Sequence, residues 1–304
     1  DSYWTDPNDN DTDKLHWRMK YNKENRGDLY ATHGLGPVAQ CMDIHRGDRF
    51  TTLVAMDTES FFGKDFVEKK TGKECKDFRN GDHTTTLMRT AKGKVVEIQH
   101  NVMTPQPYNR LFKLTGTKGY ATKYPTPEYA LSGDALKGTD APQMDNLNAH
   151  GFMNAAQKQA LEKKYYHPIL TKYGEKGREM GHGGMDYIMD ARLVYCLQNG
   201  LPLDMDVYDM AEWCSLAELG AISMDNNCAA VTFPDFTRGY WNKQQGYKHA
   251  YAPAEEEAKT EAAADAYTAA QKKVTADFNL WGLYDAIKTA THPKAAQKKY
   301  DKAV

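Results

Sequence analysis

Apolar positions along this 304-residue chain change period between its first and second halves. Phe50 to Asp57, His83 to Thr90 and Val95 to Val102 are short runs rich in Val, Ile and Thr, the side chains that suit a pleated, half-buried surface. The second and third runs are joined by Ala91-Lys92-Gly93-Lys94, a hairpin-length turn. Arg110 to Thr115 and Tyr120 to Lys123 follow around Gly116-Thr117-Lys118-Gly119, and Ala229 to Phe233 supplies a last strand before Pro234. Short links between consecutive strands predict a mainly antiparallel sheet. Helical spacing takes over from Ala141 to Tyr173, from Met185 to Asn199 and from Val207 to Ser223. Gly200 and Pro202 then form a stop signal. Leu29 to Ile44 also reads as a helix, with Asp28 placed to cap it. Pro37 suits a first helical turn better than an interior, so His33 is expected on a turn or at the helix start. Phe61 to Gly81, polar and interleaved with Lys and Glu, is expected to loop outward. Strands first and helices later, without strict alternation, predict an α+β fold: an open, mainly antiparallel sheet with helices on one face, plus a helical C-terminal tail.

Three stretches follow: an extended, Asp/Asn-rich N-terminal arm or linker (1–26) anchored by Trp4 and Trp17, a main domain (27–243), and the tail (244–304). In the tail Val274, Phe278, Trp281, Leu283, Tyr284 and Ile287 fall near helical spacing, as expected of amphipathic helices docking on the body. Apolar content of 40% and charged content of 26% place the chain among globular proteins. A net charge of −2, evenly interspersed, lacks the basic face that nucleic acid requires. No membrane span and no signal segment at Asp1 is legible. The five dispersed cysteines form no CxxC pair, which argues against a disulfide framework and a zinc site; no metal is expected, and Cys41, Cys196 and Cys214 read as buried small hydrophobes.

Candidate chemistry concentrates at Asp28-Leu29-Tyr30-Ala31-Thr32-His33-Gly34. A Tyr and a His three positions apart can hold and protonate a ligand hydroxyl, because imidazole titrates near neutrality; a structural histidine is the plainer reading of spacing alone. Trp17-Arg18 offers a planar fork of donors or an ordinary surface ion pair. Tyr108, in Pro105-Gln106-Pro107-Tyr108-Asn109-Arg110, stands at a sheet end, where the prolines either aim it at a ligand or blunt an edge. His182, among Gly181, Gly183 and Gly184, either caps the next helix, the preferred reading, or joins a mobile loop at the site. Asp209 and Glu212, at i and i+3, read as a solvated helix face. No GxGxxG, P-loop, GxSxG or HExxH is present, and Gly34-Leu35-Gly36 only imitates a nucleotide-binding turn.

Four segments in order, Gly27 to Arg49, Gly81 to Pro125, Gly181 to Trp213 and Phe233 to Gly239, resemble the C-terminal domain of NAD-dependent glycosidases. These are the α-N-acetylgalactosaminidases of glycoside hydrolase family 109, within the Gfo/Idh/MocA oxidoreductase superfamily. The resemblance runs from about Trp17 to Gly239. It implies a substrate-binding domain that follows a Rossmann domain, with NAD bound mainly by that other half. It also implies redox-assisted elimination: oxidation at the sugar C3, loss of the C2 proton, departure of the C1 oxygen, addition of water and return of the hydride. By motif position Arg18, Tyr30, Ala31, Thr32, His33 and Tyr108 resemble sugar contacts, with His33 as acid–base participant and Tyr30 against the nicotinamide. Ala31 stands where the family more usually has proline. The implied partners are an N-acetylhexosamine-containing glycan and a second copy held through the sheet, in the periplasm or outside the cell. A sugar dehydrogenase of the same superfamily and a non-catalytic carbohydrate-binding or dimerisation module are the rival readings. Without its Rossmann half the chain is expected to be inactive.

Overall fold

The computed structural model describes residues 5, 15–139, 151–178 and 181–251. In chain order it forms α1 (Trp17–Glu24), α2 (Thr32–Cys41), β1 (Phe50–Asp57), α3 (Phe62–Thr71), β2 (Thr84–Thr90), β3 (Val95–His100), β4 (Lys113–Gly116), β5 (Gly119–Thr122), β6 (Glu128–Leu131), α4 (Ala155–Tyr165), α5 (Pro168–Gly177), α6 (Met185–Gln198), α7 (Val207–Asp225) and β7 (Val231–Thr232). The class is α+β, as the pattern implies. The apolar positions expected in the tail lie outside the described residues. Contacts divide the chain into two units, one holding 15–139, 151–175 and 205–248, the other 176–178, 181–204 and 249–251.

In the first unit β3-β2-β1-β7 make one antiparallel sheet and β4-β5-β6 a second. Alternation decides the faces of the larger sheet. Leu53, Ala55, Met88, Val96 and Ile98 turn inward and are buried with Leu35 and Ala39 of α2 and Trp213, Leu216 and Leu219 of α7. Leu35, Leu53 and Leu216 are fully enclosed, each contributing about 1.5–3 kcal/mol by burial. Gly36 lets α2 approach α7, since a Cβ there would lie 3.3 Å from the Trp213 ring. Ser223 ties α7 to the sheet: its hydroxyl accepts from the Ala55 N–H at 3.0 Å and donates to the Ala229 carbonyl at 2.7 Å. A capping box fixes the start of α7, with the Asp206 carboxylate accepting from Asp209 N–H and Asp209 accepting from Asp206 N–H. On the opposite face Met56, Leu87 and Val95 stand exposed, with Val54 paired to Leu87 and Leu87 to Glu97.

Several expectations need correction. Phe61 to Gly81 does not simply loop out. It contains α3, whose first N–H groups are capped by the Asp82 carboxylate (2.8 Å to Phe62 N) and whose Phe62, Phe66 and Val67 pack on Leu15, Met19 and Met103. The interleaved lysines masked this apolar stripe. Trp17–Glu24 is helical, with Met19 fully buried, where an extended arm is expected. Cys41 and Cys214 are exposed, because they fall on the outer sides of α2 and α7, whereas Cys196 is buried. Asp209 and Glu212 are buried, because α7 turns that side toward the loop after α2.

In the second unit α6 buries Arg192, Tyr195 and Cys196. The Arg192 guanidinium binds Asp204 at 2.7 and 2.9 Å and the Ala250 carbonyl at 2.9 Å. Gly200 ends α6 in the left-handed region, as its stop signal predicts.

Candidate functional site

The helix that carries the YATH motif starts later than its apolar pattern suggests. Leu29 to Ala31 form a turn, and α2 begins at Thr32 with Ala31 in the capping position and no side-chain cap. Asp28 does not cap α2. It accepts a hydrogen bond from Tyr30 N–H at 3.3 Å and so shapes the turn before the helix. Pro37 lies inside α2 and donates nothing to the carbonyl four residues back, which belongs to His33. His33 thus sits at the helix start, on backbone that the helix only partly secures.

Tyr30 and His33 form a stacked pair, with ring centroids 4.5 Å apart and the tyrosine hydroxyl 3.3 Å from His33 Nε2. Thr32 Oγ1 lies 3.4 Å from His33 Nδ1, so both ring nitrogens face a hydroxyl. Tyr30 is half exposed, and the pair opens outward. Partial burial, then the positive charge of Arg110, holds His33 below the usual imidazole range and favours the neutral, proton-accepting ring at pH 7. Beneath it Asp28 is buried, and desolvation pushes its carboxyl up to about 6.

Arg110 is the residue that sequence reasoning missed. It shares the proline-bounded loop with Tyr108, donates from Nε to the Tyr108 hydroxyl, and lies with its guanidinium 5.5 Å from the Tyr108 ring centre. Its field at His33 brings this loop to the site. A Tyr and an Arg two apart were the available signal.

The other predicted residues are placed as follows. Arg18 lies on α1, its guanidinium 4.5 Å from the centre of the exposed Trp17 ring. Ala31 turns into the core. Tyr108 is largely exposed and packs edge-on to Tyr124. His182 is in the second unit, where it pairs with first-turn Asp186 at 2.8 Å; Gly184, not His182, occupies the cap of α6. The geometry therefore joins Tyr30, Thr32, His33 and, through Arg110, Tyr108.

Residues 4–243 match the family model for the C-terminal domain of glycosyl hydrolase 109. The chain belongs to this family. It is 82% identical over 297 residues to glycosyl hydrolase family 109 protein 3 of Phocaeicola vulgatus, covering 98% of this chain and 54% of that protein. It is 58% identical over 237 residues to family 109 protein 1 of Bacteroides thetaiotaomicron, covering 78% of this chain and 51% of that protein. The chain thus spans about half the length of the curated relatives it matches. Among solved structures, a Kribbella flavida oxidoreductase domain protein aligns over 73% of this chain and 54% of its own, with a TM-score of 0.48 and 13% identity. No helix among the described residues is long and apolar enough to cross a membrane.

Proposed function

We propose that this family 109 chain is the substrate-binding half of an NAD-dependent glycosidase that removes terminal α-N-acetylgalactosamine. The Tyr30–His33 pair carries the reading: an outward-facing imidazole, neutral near pH 7, with a phenol hydroxyl within hydrogen-bond reach. His33 Nε2 takes or returns a proton at a sugar hydroxyl, and the Tyr30 hydroxyl orients that oxygen. Arg18 and Tyr108 hold further sugar oxygens. Thr32 fixes the ring by its hydroxyl at Nδ1.

The described residues fit NAD at one edge only. The exposed Tyr30 ring offers a flat apolar face for the nicotinamide, and the chain holds no glycine-rich cradle for a pyrophosphate. When bound through another half, the cofactor supplies reversible hydride exchange. The whole protein works outside the cytoplasm and pairs through the open sheet face, where Met56, Leu87 and Val95 are exposed.

The decisive experiment joins this chain to the preceding half of the 82% identical relative and assays p-nitrophenyl α-N-acetylgalactosaminide. Hydrolysis without net NADH, lost in His33→Ala, is expected. Release of an oxidised sugar with NADH would make it a dehydrogenase, and sugar binding without turnover would leave a binding module.

A further inference from the structure

Helix α6 presents an apolar ridge to the outside. Met185, Met189, Leu193 and Leu197 recur every fourth residue, with 60%, 55%, 45% and 66% of their surfaces exposed. Residues four apart lie on one side of a helix. The opposite side is satisfied already: Tyr195 and Cys196 pack on Leu201, and Arg192 is held by Asp204. Four neighbouring apolar side chains in water are costly, and a row of this kind marks a contact surface.

The chain itself points to the occupant. Its last described residues are seated on α6, since Arg192 donates to the Ala250 carbonyl and its guanidinium lies 4.9 Å from the centre of the Tyr251 ring. Residues 252–304 continue from that point. Within them Val274, Phe278, Trp281, Tyr284 and Ile287 repeat at intervals of three and four. At about 1.5 Å per residue, Val274 to Ile287 spans about 20 Å as a helix, against about 18 Å from Met185 to Leu197. The intervening residues 252–273 would reach about 25 Å as a flexible coil, enough for either end of α6.

Charge sits mainly at the ends: Asp186 and Asp190 border the ridge, and Lys272, Lys273 and Lys288 border the apolar stretch of the tail, which itself carries Asp277 and Asp285. The tail also lies beyond the family domain, which ends at residue 243, yet the 297-residue match to the Phocaeicola vulgatus relative includes most of it.

We propose that residues 274–287 lie as an amphipathic helix along the Met185–Met189–Leu193–Leu197 ridge, so that the tail is an intramolecular clasp on α6. The association is a hydrophobic strip between two helices, with Lys272, Lys273 and Lys288 at the ends of the tail's share.

Hydrogen exchange on the intact chain tests it. Amides in 274–287 should exchange about tenfold or more slowly than in a free peptide of that sequence, independent of protein concentration. Met189→Glu with Leu193→Glu should release them to the free-peptide rate. Phe278→Asp with Trp281→Asp, which leaves the described residues untouched, should raise exchange in α6 while β1 and β2 keep theirs. Free-peptide exchange of the tail in the parent overturns the clasp. So does tail protection that survives the ridge variant, or α6 protection that survives the tail variant. Protection that fades on dilution overturns it in favour of a second copy on the ridge.

Discussion

The two ends of α2 handle buried charge in opposite ways. Beyond its C-terminal end, Arg46 grips Asp209 through two bonds of 2.8 and 2.7 Å, and His45 Nε2 meets Glu212, with all these groups largely enclosed. Burial pushes the Glu212 carboxyl up, and the bond from His45 opposes the rise. Before the N-terminal end, Asp28 is as deeply buried but, among the described residues, accepts only from the Tyr30 N–H, and no described cation pulls its carboxyl down. One end is a fastening, in which Arg46 meets Asp209 and His45 meets Glu212 across elements, although His45 Nδ1 and Glu212 Oε1 hold no hydrogen bond among the described residues. The other keeps a buried carboxyl without a basic partner beside an exposed Tyr–His pair, a setting in which a side chain can exchange a proton with a ligand.

The contrast can be broken at either end. His33→Ala should lower turnover of the joined enzyme by about 10²–10⁴-fold, since a positioned acid–base group contributes that much. Its unfolding free energy, read from urea denaturation, should stay within about 0.5 kcal/mol of the parent's, because the ring is largely at the surface. Arg46→Ala should do the reverse. Leaving Asp209 buried and uncompensated costs about 3–5 kcal/mol, read from urea denaturation, with turnover per folded molecule unchanged. Equal effects of the two substitutions on both readouts would erase the distinction.

Asp28→Asn sharpens it further through pH. A carboxyl held at about 6 in the fold and near 3.8 unfolded binds its proton more tightly when folded. The penalty is therefore absent below about pH 4, grows as pH rises through 6, and reaches about 3 kcal/mol at neutrality. Asparagine avoids the charge but still buries an amide, so a net gain of about 1–2 kcal/mol at pH 7 is expected, with little or none at pH 4. Buried His100, held at about 4 by desolvation and then by His83, has the opposite sign: its contribution is full above pH 6.5 and is lost as pH falls toward 4. Subtracting the parent's stability curve from the variant's cancels His100 and isolates Asp28. A stabilised variant that loses sugar binding would tie the strain at Asp28 to the site.

Much of this was legible in the residues, and the exceptions have physical causes. Alternation along Phe50–Asp57 and Val95–His100 gave strand and face together, because a strand's period is two and its neighbours are near in sequence. His33 falls at a helix start as expected, although Pro37, the basis of that expectation, lies inside α2 and not in its first turn. What escaped was long-range. Asp82 capping a helix some twenty residues earlier, and Arg46 reaching Asp209 across 163 positions, leave no local trace. Asp209 and Glu212 looked like a water-facing pair because helical spacing does not say which side of α7 another loop will cover. Arg110 escaped because its importance lies in a field acting on a residue 77 positions away.

That field supplies the finest test. Two causes hold His33 low, burial first and Arg110 second. Arg110→Ala removes only the second, so the His33 pKa should rise without exceeding the ordinary imidazole value of about 6.5. The acidic limb of the activity profile of the joined enzyme should move to higher pH, since protonated His33 cannot accept a proton. Arg110 also donates to the Tyr108 hydroxyl, so loss of activity alone would confuse field with positioning. Arg110→Lys separates them: it keeps the charge but loses the planar fork, and should leave the pKa near the parent's while weakening sugar binding. An NMR titration of the His33 ring protons reads the first effect directly. A ring that titrates alike in parent, Lys and Ala variants would place the Tyr108 loop outside the site and leave Tyr30, Thr32 and His33 as the residues whose contacts build it.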